Sequence, residues 1–158
     1  MNNPIKSAIN QLSNNALSKK ALQKQYDVIA NANLFDEEYY QVPASESDLY
    51  EDKLSHFLNV GWKANLDPSP YFSCQYYLYK NPDVAEEGIN PLVHYIINGE
   101  KESRSPNVHF NPFDYLALNP DLAELESTLL FHYIQFGINE GRVFREKPLI
   151  NQGETASE

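Results

Sequence analysis

Three histidines recur at a constant spacing and are the residues most able to do chemistry. His56, His94 and His132 lie 38 residues apart. Histidine is the commonest metal ligand and a general base near neutral pH, so the series suggests a metal or catalytic site. Packed helices, however, lie about 8–10 Å apart, whereas a zinc–nitrogen bond is about 2 Å long. Equivalent histidines in successive units therefore cannot share one ion, and we expect each imidazole to hydrogen-bond to a neighbouring turn.

Two Asn-Pro-Asp triplets offer oxygen ligands for calcium. They are Asn81-Pro82-Asp83 and Asn119-Pro120-Asp121. A calcium loop of the EF-hand type needs oxygens at several alternate positions and a closing Glu, and this pattern is absent. Asn at a helix N-cap, followed by Pro at the first helical position, accounts for the triplets without a metal.

The remaining reactive residues also have structural interpretations. Glu140 and Arg142 match Glu102 and Arg104, and we expect these pairs to tie the turn of one repeat to the next. Cys74 is the single cysteine, so it forms no intrachain disulfide and is predicted to be a buried spectator. No phosphate loop, nucleophile elbow, His-Glu-x-x-His or dinucleotide fingerprint is present. The sequence therefore predicts no enzyme activity, no cofactor and no metal.

The elements that position these residues form an internal repeat of 37–38 residues. Matching aromatic, histidine and glycine positions recur three times, which predicts three tandem structural units. The predicted segments are repeat 1 at 34–70, which is degenerate, repeat 2 at 71–107 and repeat 3 at 108–145. The recurring positions are Phe35, Phe72 and Phe110; Tyr40, Tyr77 and Tyr115; His56, His94 and His132; Gly61, Gly99 and Gly137.

Capping chemistry divides each repeat into two or three short helices. Asp36, Ser73 and Asn111 follow the recurring Phe, and each can cap a helix. The Phe then occupies N′ and the Tyr five residues later occupies N4, which is the pairing of a hydrophobic staple. Gly88, Gly99 and Gly137 are expected to end helices at positive φ. No alternating strand pattern is present. We predict an all-α, solenoid-like array of three repeats.

The N-terminal segment differs from the repeats in charge. Residues 1–33 are predicted to be a helical cap, with Ser13-Asn14-Asn15 as a candidate break between two helices, and residues 146–158 to be a flexible tail. Residues 1–34 carry four lysines and one Asp, whereas residues 35–158 carry eight basic and 21 acidic side chains. The acidic repeats argue against nucleic acid as a ligand. The lysines are candidates for peripheral contact with anionic lipid or with acidic repeats: Lys6, Lys19, Lys20 and Lys24.

Repeat 2 carries a recognisable motif. Residues 72–99 read FSCQYYLYKNPDVAEEGINPLVHYIING. This segment resembles a bacterial repeat of the form F-D-x-x-Y-Y-L-x-x-N-P-D-V-A-x-x-G-x-N-P-L-x-H-Y-x-x-x-G-x-x-E-G-R-x-P. The resemblance covers about residues 34–145, and repeat 1 keeps only its Phe, Tyr, His and Gly skeleton. Such repeats are found beside or within large bacterial glycosyltransferases and cell-surface polysaccharide enzymes, which implies a polysaccharide-related context but no catalytic residue.

These observations leave three functional interpretations open. The first is a scaffold that binds a protein partner, such as a glycosyltransferase. The second is a lectin-like module whose exposed tyrosines stack on sugars, and the third is a hydrolase or transferase with a cryptic site. A variant of the first is an accessory domain of a glycosyltransferase. No membrane span or secretory signal is present, so a cytoplasmic protein, in peripheral contact with the inner membrane at most, is expected. The candidate partner surface consists of Tyr39, Tyr76, Tyr79, Trp62 and Phe113.

Overall fold

Prolines and asparagines recur every few residues in the repeats, and because both residues favour helix ends and turns, the helices of the repeats are short. A computed structural model describes the backbone of residues 4–145 and the side chains from residue 18 onward. Within this range the chain is helical and has no β-strand, only one isolated bridge between Ser69 and Phe72. The predicted all-α class is confirmed. The predicted tail at 146–158 lies outside the described residues.

The N-terminal segment forms one long helix, α1 (Pro4–Ala32). It is continuous through Ser13-Asn14-Asn15, so the predicted break is wrong. Asparagine and serine lower helix propensity by only a few tenths of a kcal/mol each, which is too little to interrupt a 29-residue helix. Ile29 is fully buried in the core, and α1 ends at Ala32, followed by Asn33 in the left-handed region with a φ of 54°.

Repeats 2 and 3 follow the predicted order of elements, and repeat 1 lacks the first helix. The structure contains α2 (Lys53–His56) in repeat 1; α3 (Cys74–Lys80), α4 (Pro82–Glu86) and α5 (Pro91–His94) in repeat 2; and α6 (Pro112–Leu118), a 3-10 turn (Pro120–Leu122) and α7 (Leu129–His132) in repeat 3. In repeat 1, Asp36 Oδ1 accepts from the amides of Glu38 and Tyr39, but only one turn forms. Pro43 follows closely and disfavours helical backbone at Val42, so the turn does not extend.

Each histidine stands where an α-helix widens into a π-helical turn. These turns are Phe57–Gly61, Tyr95–Gly99 and Tyr133–Gly137, and they continue α2, α5 and α7 without interruption. A side chain at the N-cap starts each of the three helices: Asp52, Asn90 and Thr128 accept from amides of the first turn. Equivalent caps thus begin equivalent helices, although three different residue types supply them.

An aromatic cluster forms the core of each repeat. The ring centroids of Phe72 and Tyr77 lie 5.4 Å apart, and Phe72 also packs on Tyr95 at 5.6 Å. The corresponding staple distances are 5.0 Å in repeat 1 and 5.3 Å in repeat 3. The Phe–Tyr contact is present in all three repeats, and in repeats 2 and 3 it is the predicted staple at a helix start; in repeat 1 no helix follows the Phe. Phe72 and Phe110 are buried as expected, whereas Phe35 is only half-buried.

The recurring glycines do not adopt the conformation expected of them. Gly88 has a φ of 64°, as predicted, but Gly99 and Gly137 are not among the residues with positive φ. The left-handed residue comes four positions later, at Asn65, Ser103 and Gly141. There the amide of the following residue bonds back to the carbonyl of the glycine, for example Arg104 to Gly99 at 2.8 Å, which is the Schellman arrangement. The helices therefore run one turn beyond the predicted stop.

Candidate partner-binding surface

The recurring tyrosine, histidine and glycine of each repeat meet in the core. The hydroxyl of Tyr40, Tyr77 or Tyr115 shares a hydrogen bond with Nδ1 of the histidine in the same repeat, at 2.7, 2.8 and 3.0 Å respectively. The hydroxyl also lies so close to the recurring glycine that a Cβ there would come within 3.0 Å of it. Glycine is therefore required at this position by the close approach of the tyrosine.

All three histidines are buried, and their bonds to tyrosine occupy Nδ1. Each imidazole contacts a tyrosine hydroxyl from the beginning of its own repeat rather than a neighbouring turn of backbone. Burial lowers the pKa of His94, with a further contribution from the positive charge of Arg104. Among the described residues, no group of three or more His, Cys, Asp or Glu side chains is placed to hold a metal ion.

His56 has a second partner that sequence reasoning missed. Its Nε2 lies 2.8 Å from Glu46 Oε2. A carboxylate only accepts, so in the neutral ring Nε2 carries the proton and Nδ1 accepts from the Tyr40 hydroxyl. Burial raises the pKa of Tyr40, which keeps its hydroxyl protonated. This chain of bonds orients the His56 ring within the core. Sequence reasoning missed the pair because Glu46 and His56 are ten residues apart, and no spacing rule links residues at that separation.

The Asn-Pro-Asp triplets and the recurring arginines bind each other. Arg104 donates to Asp83 Oδ2 at 2.8 Å and to Asn81 Oδ1 at 3.0 Å. It also pairs with Glu102 at 2.7 Å. Repeat 3 has the same arrangement: Arg142 contacts Asn119, Asp121 and Glu140.

Two expectations about these residues are therefore wrong. The asparagine side chains do not cap the following helix, because Asn81 Nδ2 donates to the Tyr77 carbonyl and its Oδ1 accepts from Arg104. The arginine also closes its own repeat instead of tying it to the next. Repeat 1 lacks both partners: Leu66 stands at the arginine position, and no Asn-Pro-Asp precedes it.

Glu100 makes a long-range contact between repeats 2 and 3. Its Oε1 accepts from the Leu129 amide at 2.6 Å, and its Oε2 accepts from the Leu130 amide and the Tyr95 hydroxyl. Glu100 thus satisfies free amides at the beginning of α7. Burial raises the pKa of this carboxyl. The sequence held no signal for this role, because the two other repeats have Trp62 and Ile138 at the same position.

Cys74 is fully buried, as expected, at the first turn of α3. Its amide donates to Asp67 Oδ1 at 2.8 Å, and burial raises the pKa of its thiol.

The lysines of α1 are at the surface where they are described: Lys19, Lys20 and Lys24 are exposed, and the side chain of Lys6 lies outside the described residues. No described helix is both long enough and apolar enough to cross a membrane.

The aromatic residues of the candidate partner surface differ in exposure and do not form a row. Tyr79 is 81% exposed, Phe113 54% and Tyr39 45%, whereas Tyr76 and Trp62 are half-buried. At one repeat offset, Tyr79 is matched by Val42 and Ala117. Tyr39 and Tyr76 occupy equivalent positions, but Tyr76 is half-buried and repeat 3 has Asp114 there. The three repeats therefore present no ladder of equivalent exposed rings.

Three wider depressions surround the end of α1 or its exposed face, and they differ in charge. The first, of about 440 Å³, lies between the beginning of repeat 1 and the π-helical turn of repeat 3, and its charged residues are Asp36, Glu37 and Glu38. The second, of about 610 Å³, mixes Lys101 with acidic residues. The third, of about 400 Å³, mixes Lys19 with Glu51. The first depression is thus the one lined by charges of a single sign.

Comparisons of this chain with protein-family models, with curated proteins and with solved structures found no match.

Proposed function

We propose that the chain is a non-catalytic helical-repeat module that docks a protein partner on its acidic repeat surface. In this proposal the three repeats form a short solenoid-like array, and α1 is its N-terminal cap, packed on both repeat 1 and repeat 2. The resemblance of repeat 2 to glycosyltransferase-associated repeats makes a component of bacterial polysaccharide assembly the leading candidate for the partner.

One observation carries this proposal: the groups that could do chemistry are buried in, or bonded within, their own repeats. The histidine Nδ1 atoms are bonded to tyrosines, and Arg104 and Arg142 are bonded to the Asn-Pro-Asp triplets. The exposed surface of the repeats carries aromatic rings and more acidic than basic side chains. Tyr79, Phe113 and Phe136 each expose more than half of their side-chain area.

The distribution of these rings favours a protein over a glycan. Glycan binding by equivalent repeats would place exposed rings at one repeat offset. The counterparts of Tyr79 are aliphatic, and of the equivalent Tyr39 and Tyr76 only Tyr39 is exposed. Mixed apolar and polar patches with aromatic residues are typical of protein interfaces. The net charge of −13 on residues 35–158 favours a partner with a basic patch.

The test is co-purification from the native host with the tagged chain as bait. We expect a partner to be retained at about 0.05 M salt and largely lost at about 0.5 M, because screening shortens the range of surface electrostatics. A bait with Lys19→Gln, Lys20→Gln and Lys24→Gln is the matched control, since it removes exposed positive charge and leaves the acidic surface intact. The control bait should retain the same partner.

A glycan array probed in parallel decides between the two binding modes. Failure to recover any protein partner, together with micromolar binding to a defined oligosaccharide, would replace this proposal with the lectin-like interpretation. Loss of the partner with the lysine-substituted bait would move the docking surface from the repeats to α1.

A further inference from the structure

We infer that the depression between repeats 1 and 3 is the docking groove for an extended peptide segment of the partner that carries lysine or arginine next to apolar residues. This inference rests on the proposed function and specifies where and how the partner binds.

The groove combines apolar walls with an acidic rim. Phe35, Tyr71 and Ile134 are half-buried and form its apolar sides. Asp36, Glu37 and Glu38 are exposed and supply its charge. Such a composition matches a peptide whose alternate side chains are apolar and basic, because neighbouring side chains of an extended peptide point to opposite sides. Aromatic faces also attract lysine and arginine through cation–π contacts.

The carboxylates of Glu37 and Glu38 are free for such a partner. Within the described part of the chain, neither carboxylate accepts a hydrogen bond or forms an ion pair, in contrast to those of Asp83 and Glu102. Asp36 Oδ1 is engaged with backbone amides of its own turn. The nearby cation is Lys53, whose Nζ donates to the main-chain carbonyl of Glu37, so the rim remains negative overall.

The groove continues beyond the depression itself. A smaller cavity of about 250 Å³ shares Asn33, Phe35 and Glu37 with it and extends along α1 toward Tyr26. Glu37 is also the one charged residue that lines this extension. The two adjoining cavities both have apolar sides and acidic charge alone, and together they suit a chain segment better than a single side chain. A neutral sugar could donate hydroxyl hydrogen bonds to these carboxylates, but it carries no positive charge for them to attract.

The experiment measures binding of a fluorescein-labelled peptide, Lys-Leu-Arg-Leu-Lys, by fluorescence anisotropy. The groove variant is Glu37→Gln with Glu38→Gln. The matched control is Glu86→Gln with Glu87→Gln, which removes the same charge from exposed positions of repeat 2 that line none of these cavities. We expect the groove variant to weaken binding by about fivefold or more and the control by less than about twofold, since a surface ion pair contributes up to about 1 kcal/mol.

A third variant tests where the peptide binds without removing any carboxylate. Gln135 is exposed on the repeat 3 side of the groove, and Gln135→Lys should weaken binding at least as much as the groove variant does. The same chain is titrated with a neutral glucose hexasaccharide and with the acidic peptide Glu-Leu-Glu-Leu-Glu, neither of which should bind.

The outcomes separate this inference from the proposed function. If the groove and control variants weaken peptide binding equally, or if the basic peptide does not bind at all, the groove is not the docking site. If a host protein is nevertheless captured by both variants, the proposed function stands and the docking site lies elsewhere on the repeats. Saturable binding of the hexasaccharide that Gln135→Lys abolishes would assign the groove to glycan instead.

Discussion

Placing a methyl group at Gly99 tests the packing that defines each repeat. A Cβ at this position would overlap the hydroxyl oxygen of Tyr77 and would lie 3.2 Å from its Cζ. Tyr77 is fully buried, and its hydroxyl is bonded to His94 Nδ1 at 2.8 Å. The ring can therefore yield only by breaking that bond.

The expected cost follows from three contributions. Overpacking a core costs about 1–3 kcal/mol, and the lost hydrogen bond costs about 1 kcal/mol. Alanine in place of glycine within a helix returns about 0.5–1 kcal/mol, because the φ of Gly99 is not positive. Gly99→Ala should therefore lower the free energy of unfolding by about 2 kcal/mol.

A double-mutant cycle with Tyr77→Phe isolates the cause. Phenylalanine removes the overlapping oxygen, so Gly99→Ala should cost less than about 1 kcal/mol in that background, and the coupling should approach 2 kcal/mol. Tyr77→Phe alone should itself cost about 1–3 kcal/mol, because it leaves the buried Nδ1 of His94 unpaired. The measurement is urea unfolding followed by circular dichroism at 222 nm.

Gly88→Ala is the matched control. Gly88 has a φ of 64° and no neighbouring atom within 4 Å of its Cβ position. Its substitution should cost about 1 kcal/mol through backbone strain, and Tyr77→Phe should not alter that cost. If Gly99→Ala is neutral or stabilising in the wild-type background, or if the cycle shows no coupling, close approach is not the reason for glycine at this position.

Three further outcomes are expected. Arg104→Gln should destabilise by about 1–2 kcal/mol through loss of its bonds to Asp83 and Asn81, whereas Lys80→Gln at an exposed position should stay within about 0.5 kcal/mol; equal costs in urea titrations would contradict this. Burial raises the pKa of Glu100 above its ordinary 4.5, so the folded state binds that proton at higher pH, and the unfolding free energy should rise as pH falls through the range above 4.5. Glu100→Gln should remove this rise. If the unfolding free energies of the wild type and Glu100→Gln change with pH in parallel, Glu100 is not its cause. Metal analysis should find less than one zinc or calcium ion per purified chain, and no sugar-nucleotide turnover should be detected.

Local chemistry explains which features could be predicted from the sequence. The staple joins residues five positions apart, and the caps at Ser73, Asn90 and Asn111 act on amides two or three residues away. Gly88 has the expected positive φ because it directly follows a short helix. Each of these interactions lies within one or two helical turns, so the spacing of residue types specifies it almost completely.

The recurring glycines mark the limit of this reasoning. Their spacing is visible in the sequence, but a left-handed turn and a close side-chain approach both require glycine. The residue type alone does not distinguish the two causes. The distance between the Tyr77 hydroxyl and Gly99 does, and 22 residues separate these two positions.

Residue types and short spacings by themselves determined the helical class, the positions of the aromatic staples and most of the helix starts. Only the tertiary structure decided the partners of the charged groups: Arg104 bonds to Asp83 across 21 residues, and Glu100 bonds to Leu129 across 29. It also brought Ile134 and Glu37 to the same depression and so formed the acidic groove between repeats 1 and 3. Contacts at such separations depend on how whole helices pack, and a periodic sequence specifies the faces of those helices without specifying which faces meet.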